Sequence, residues 1–212
     1  MPDLSVLEII LIIIILVLLV GGIVSLVLLI RRPRSSHDEV MMELRRRRGG
    51  ELTTMTPGRQ VLQISLPGGV LRVGYWEKNI TGETTFVPGF YVRWKPNRRV
   101  QMAPFVLRQI EAVQESPALD GFELLEERLW YADQEFQLYF PLDAANHDRE
   151  DILLRLKEHM PKLAGMMDVA EVIWLENTLS IRFRSPVSDA RRAGLLIDDA
   201  TTFLTNFLRQ VE

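Results

Sequence analysis

"EVIWLENTLSIRFRS", Glu171 to Ser185, is the stretch whose reading decides the fold. Leu179, Ile181 and Phe183 alternate with Ser180, Arg182 and Arg184, the period of a strand with an inner and an outer face. Glu176-Asn177 separates this run from a second apolar run, and a two-residue turn there predicts a β-hairpin. Two more hairpins follow from the same reasoning. In "RLWYADQEFQLYF", Phe136, Leu138 and Phe140 face one way. In "VLQISLPGGVLRVGYW", Leu62, Ile64 and Leu66 alternate with Gln63 and Ser65, the turn falls at Pro67-Gly68-Gly69, and Leu71, Val73 and Tyr75 resume the pattern. "TTFVPGFYVRW" predicts two short strands broken at Pro88-Gly89.

Helical spacing lies between and after these runs. Pro104 opens an expected helix with Val106, Leu107, Ile110 and Val113 on one face, closed by Ser116-Pro117. Asp148 caps a second, carrying Ile152, Leu153, Leu156, Met160 and Leu163, which Pro161 kinks or ends. Ser188 caps a third with Ile197, Leu204, Phe207, Leu208 and Val211 as its apolar stripe. Hairpins with helices between them give an α+β domain over residues 60–212, an antiparallel sheet covered on one side by helices. The order of strands then helix in each half hints at duplication, without a repeat at residue level.

Upstream the composition changes. "ELTTMTPGR", residues 51–59, reads as a linker. Residues 31–50 read as a basic juxtamembrane helix: Ser36 and Glu39 form a capping box, Asp38 and Glu39 lie in the first turn, and Arg45, Arg46, Arg47 and Arg48 in the last. Gly49 and Gly50 end it. Residues 9–30 carry no charge and consist almost wholly of Ile, Leu and Val. As a helix they reach about 33 Å, enough for a hydrocarbon core of roughly 30 Å, so a single N-terminal transmembrane helix is expected. "MPDLSVLE" has no Lys or Arg, and no small-x-small site follows the run, which reads as a permanent anchor rather than a cleaved signal.

The flanking charges set the orientation. No Lys or Arg precedes the run, whereas Arg31, Arg32, Arg34 and Arg45 to Arg48 follow it. The expectation is a short extracytoplasmic N-terminus, residues 1–8, and a cytoplasmic C-terminal domain at the cell membrane. "NIT" at Asn79 matches a glycosylation acceptor that a cytosolic domain does not present to the transferase. Residues 31–50 hold seven Arg against Asp38, Glu39 and Glu43, while residues 51–212 hold 18 basic against 23 acidic residues. Positive charge is thus concentrated at the neck, where those seven arginines are expected to contact anionic headgroups. Gly21 and Ser25, a small-xxx-small pair, mark an expected dimer face within the span.

Chemistry is sparse. The absence of cysteine excludes disulfides and thiolate sites. His147, Asp151 and His159 have spacing that a metal site uses, yet the acids of "DAANHDRED" are also what a helix N-terminus wants. No nucleophile elbow, GxxxxGK[ST] or GxGxxG loop is present. Glu126-Glu127 and Asp198-Asp199 are adjacent acids, which on a strand point to opposite faces. "FYVRWKPNRR" interleaves Tyr91 and Trp94 with Arg93, Lys95, Arg98 and Arg99, a candidate binding patch. These features predict a non-enzymatic, membrane-anchored interaction module without a cofactor. Its expected partners are the bilayer and another protein, with no nucleic acid. The competing expectations are an enzyme or small-ligand binder built from dispersed residues, and an extracytoplasmic domain of reversed topology.

Overall fold

A computed structural model describes residues 36–56, 59–77, 88–111, 119–131, 134–166, 168–185 and 187–209. The chain divides into two compact units, Met1–Ser36 and His37–Glu212. The apolar run 9–30, the Gly21/Ser25 pair and Arg31, Arg32 and Arg34 lie outside the described residues. Among the described residues, no helix is long and apolar enough to cross a membrane.

The second unit is α+β: three helices and ten strands are described, every strand pairing antiparallel. The strands are β1 (Glu51–Thr56), β2 (Arg59–Leu66), β3 (Gly69–Glu77), β4 (Pro88–Pro96), β5 (Phe105–Gln109), β6 (Phe122–Leu124), β7 (Leu129–Tyr131), β8 (Gln134–Pro141), β9 (Val169–Leu175) and β10 (Thr178–Phe183). The helices are α1 (Ser36–Arg48), α2 (Asn146–Gly165) and α3 (Ala190–Arg209). The sheet runs β1-β2-β3-β4-β10-β9-β5-β8-β6, with β7 also on β8. The β9–β10 hairpin therefore sits in the middle, between strands from earlier in the chain.

One face of the sheet carries the core. Leu62, Leu71, Val92, Phe105, Leu138, Val172 and Ile181 share it with Val40, Met41 and Leu44 of α1, Leu156 of α2, and Ile197, Leu204 and Phe207 of α3. Large β-branched and aromatic side chains at alternate positions suit a pleated surface buried on that side. The central turn is of the primed kind, with positive φ at Glu176 (50°) and Asn177 (56°), which matches strand twist in a two-residue hairpin. Asn177 also clamps the loop after β4: its Oδ1 accepts from Val100 N at 2.9 Å, and its Nδ2 donates to Arg98 O at 3.0 Å.

Four expectations change. Most of the expected linker 51–59 is strand: β1 (Glu51–Thr56) pairs with β2 and sets Leu52 opposite Leu62, while residues 57–58 lie outside the described residues. Gly50 makes this entry possible, because at φ +94° a Cβ would collide with the Gln63 carbonyl. The basic helix, described from Ser36 to Arg48 and ended at Gly49-Gly50 as expected, belongs to the domain, since its apolar stripe lies in the common core; residues 31–35 lie outside the described residues. Of the helix expected from Pro104, Phe105–Gln109 is strand β5, buried at all five positions between β9 and β8; Val113 and Ser116-Pro117 lie outside the described residues. At the helix starts, Ala145 rather than Asp148 is the N-cap of α2. Asp189 rather than Ser188 caps α3, accepting from the backbone N–H of Arg191 and Arg192 at 3.1 Å each. Pro161 lies inside α2, which continues to Gly165.

Candidate functional site

The second face of the sheet is not simply solvated. Ser180 and Glu171 are buried there, and the β-pairing lines up a polar row across six strands. Gly74 of β3 partners Tyr91 of β4, Tyr91 partners Arg182 of β10, Arg182 partners Glu171 of β9, Glu171 partners Arg108 of β5, and Arg108 partners Gln137 of β8. A second row brings Gln63, Arg72, Arg93 and Ser180 side by side. A one-residue bulge at Ala170 lets Val169 face the core while Glu171 faces this row.

Two glycines make the platform on which the arginines rest. A Cβ on Gly74 would lie 2.7 Å from the Tyr91 hydroxyl oxygen, and one on Gly89 would overlap the Trp76 indole. Each ring therefore lies flat over the backbone of the neighbouring strand, the reason a strand tolerates glycine there. Trp76 is fixed by donating from Nε1 to Phe183 O at 3.1 Å. The Arg93 guanidinium stacks 4.4 Å from the Tyr91 ring centroid, and that of Arg182 lies 5.3 Å from the Trp76 ring.

The charges are unequal. Glu171 is 0% exposed, accepts from Arg108 Nε at 2.5 Å and from Arg182 NH1 at 2.8 Å, and is the one carboxylate facing four guanidiniums in this patch among the described residues. Arg72 donates to the neutral Gln63 Oε1 at 3.1 Å. Among the described residues Arg93 has no carboxylate partner, and Arg182 keeps a buried Nε without a hydrogen bond. Burial lowers the Arg93 pKa; Tyr91 opposes that shift, and the charges of Arg182 and Arg72 add to it. Burial raises the Tyr91 pKa, against the three arginines around it. Arg72 and Arg93 are directly opposed across β3 and β4, an arrangement that like charges disfavour. Guanidinium forks on flat rings are suited to a planar oxyanion, carboxylate or phosphoryl, taken in a bidentate manner.

The patch expected at 91–99 is divided by strand alternation. Tyr91, Arg93 and Lys95 belong to the second face, but Trp94 is 4% exposed in the core and lines a groove of about 480 Å³ with Pro96 and Arg98. Arg98 and Arg99 follow the end of β4. Arg72, Trp76, Arg108, Glu171 and Arg182 are the members the linear pattern missed. Among the neck arginines, Arg46 and Arg47 bind Glu43, whose carboxyl they hold down to about 2. Arg48 grips Asp198 of α3 with two bonds of 2.7 Å and donates to Gly194 O at 2.8 Å, so it fastens a helix. Arg45 is exposed.

The histidines do not converge. His147 is exposed 3.2 Å from Asp148 at the start of α2, whereas His159 is buried against Phe203 and Phe207. No group of His, Cys, Asp and Glu among the described residues is arranged to hold a metal ion. Comparison with protein-family models, with curated proteins and with solved structures finds no match.

Proposed function

We propose that this chain is a single-pass membrane protein whose α+β domain is a non-enzymatic interaction module facing the cytoplasm. In this reading it holds an acidic or phosphorylated segment of another membrane protein on the arginine-lined sheet face. The observation that carries it is Arg93, half-buried between Arg72 and Arg182 with no carboxylate partner among the described residues. A partner's anion there would relieve the repulsion and complete the hydrogen bonding of Arg182 Nε.

The anchoring half of the proposal rests on sequence. The uncharged run 9–30 and the arginines that follow it support a span with its C-terminal side inside. Arg31, Arg32, Arg34 and the exposed Arg45 are the neck residues best placed for anionic headgroups, since Arg46, Arg47 and Arg48 already have protein partners. The Gly21/Ser25 pair supports association of two such helices. Sharing a membrane raises the effective concentration of a tethered partner, so a modest anion site suffices.

Affinity capture from membranes in mild detergent at low salt tests the reading, comparing the wild-type chain with Arg93→Glu. A protein recovered with the wild type, released by salt and lost with the variant is the expected result. Recovery of the same proteins with both chains, or of none with either, overturns it.

A further inference from the structure

The row that holds Arg93 does not stop at the arginines. Ser180 of β10, which partners Arg93, also partners Ile173 of β9. Ile173 partners Val106 of β5, Val106 partners Tyr139 of β8, and Tyr139 partners Leu124 of β6. Directly opposed residues share a face, so one row runs from guanidiniums through a small hydroxyl to four largely apolar side chains. Leu175, two residues along β9 from Ile173, lies on the same side. Leu124 and Leu175 are 47% and 45% exposed, whereas the three described helices share the core on the opposite face.

This order narrows the partner. From β4 to β8 every strand of the row is paired on both sides, so the backbone donors and acceptors there are taken. A segment lying on the face must therefore satisfy its own backbone, which an α-helix does and a lone extended strand does not. Strands lie about 4.8 Å apart, so the five steps from Arg93 to Leu124 span about 24 Å, the length of a helix of about 16 residues. Tyr139 is a fixed anchor midway along the apolar half: its hydroxyl donates to Gln137 Oε1 at 2.6 Å, and the Arg108 guanidinium lies 5.7 Å from its ring centroid. A bilayer surface fits less well. Arg93 is half-buried and Val106 is 3% exposed, recesses that the side-chain ridge of a helix reaches and a layer of headgroups does not.

We propose that the segment held on this face is an amphipathic helix of another protein, with its acidic or phosphorylated turn on Arg72, Arg93 and Arg182 and its apolar stripe on Ile173, Val106 and Leu124. The inference rests on the reading of this face as an anion-binding partner site, and it adds the conformation and residue pattern that the partner brings. Charge at one end fixes the direction in which the helix lies, and apolar contact at the other supplies affinity.

The test uses the full-length chain in phosphatidylcholine nanodiscs and three fluorescein-labelled, alanine-based peptides of about 16 residues. The first carries glutamates in its first turn and leucines at spacings of three and four thereafter. The second shuffles that composition, and the third replaces each leucine by glutamine. Fluorescence anisotropy is expected to show the first peptide binding about tenfold or more tightly than either control. Leu124→Asp and Leu175→Asp, at exposed positions where a charge does not threaten folding, each weaken it about fivefold or more, and Arg93→Glu abolishes it. Equal binding of the first and third peptides leaves an acidic-segment site standing but overturns the helix, as does equal binding of the shuffled peptide. Binding of none overturns the inference, while membrane capture with Arg93→Glu decides the broader reading by itself. The chain has no cysteine, so Leu124→Cys accepts one environment-sensitive dye, whose emission should shift to the blue with the first peptide. A blue shift on adding phosphatidylserine to the nanodiscs, with no peptide present, identifies lipid as the occupant and overturns the proposal.

Discussion

Held between Arg108 and Arg182, the fully buried Glu171 carboxylate neutralises part of a face that is otherwise cationic. Removing its charge leaves two guanidiniums without their counterion, a change that costs about 3–5 kcal/mol in buried pairs. Glu171→Gln is therefore expected to lower the unfolding free energy by about 3 kcal/mol. Replacing Arg108 and Glu171 together by Met should cost less than Glu171→Gln alone, because only the more exposed Arg182, and no longer the buried Arg108, is then left without its partner. Urea unfolding followed by tryptophan fluorescence measures both, and a double variant weaker than the single one contradicts the assignment. Both Glu171 and Arg182 stand in plain sight in the hairpin sequence. Their letters say only that they leave the core face; whether that second face is wet depends on the strands alongside. Arg72 opposite Arg93 is a matter of register between β3 and β4, and the glycines at 74 and 89 acquire meaning only once Tyr91 and Trp76 lie across them. Tyr91 and Arg93 were legible because they are close in sequence and unlike in chemistry.

At the scale of elements, the hairpins were legible and β5 was not. Alternation with a turn at its middle has few competing readings, and three such runs form hairpins as expected. "FVLRQ" is apolar at neighbouring positions because β5 is buried on both faces, and a short run of that kind carries no period to separate strand from helix. The charge of Arg108 is hidden there by Glu171, five elements later in the chain. Helix α1 was recognised as a helix, but its weak apolar stripe did not reveal that it belongs to the core. One consequence is a pH dependence. His37 of α1 packs against Tyr75 with ring centroids 4.3 Å apart, and burial lowers its pKa, with the neighbouring Asp38 opposing the shift. The folded form then binds fewer protons than the unfolded chain near pH 6.5, so stability is present above that pH and is lost as pH falls through it. The unfolding midpoint should decline between pH 7 and pH 5, and His37→Gln should flatten the decline. An identical slope in the variant rules His37 out as its source. A separate acid limb is expected near pH 4 and below, where Asp189 and Asp198 take up protons; hydrogen bonds from the Arg191 and Arg192 backbone and from the Arg48 side chain hold their pKa values down.

For the whole molecule, composition and hairpins sufficed for the class, α+β with helices over one face, because each rests on local spacing. Strand order was not legible, since the partners of β9 and β10 are β5 and β4, and no local signal names them. This order makes the domain indivisible. A chain ending at residue 168 lacks the hairpin that joins β4 to β5 and presents both as bare edges. It is expected to aggregate, and co-expression of residues 169–212 should return it to the soluble detergent fraction; a monodisperse, protease-resistant 1–168 chain is the contrary result. The same order sets a clock on biosynthesis. Sixty residues separate Gln109 from Val169, which at about 5–20 residues per second take a ribosome roughly 3–12 s to add. Throughout that interval the nascent polypeptide displays two half-built ladders with nothing to zip them. The keystone arrives late, so a chaperone that shields extended segments during translation is the cellular factor on which yield of this protein should depend most.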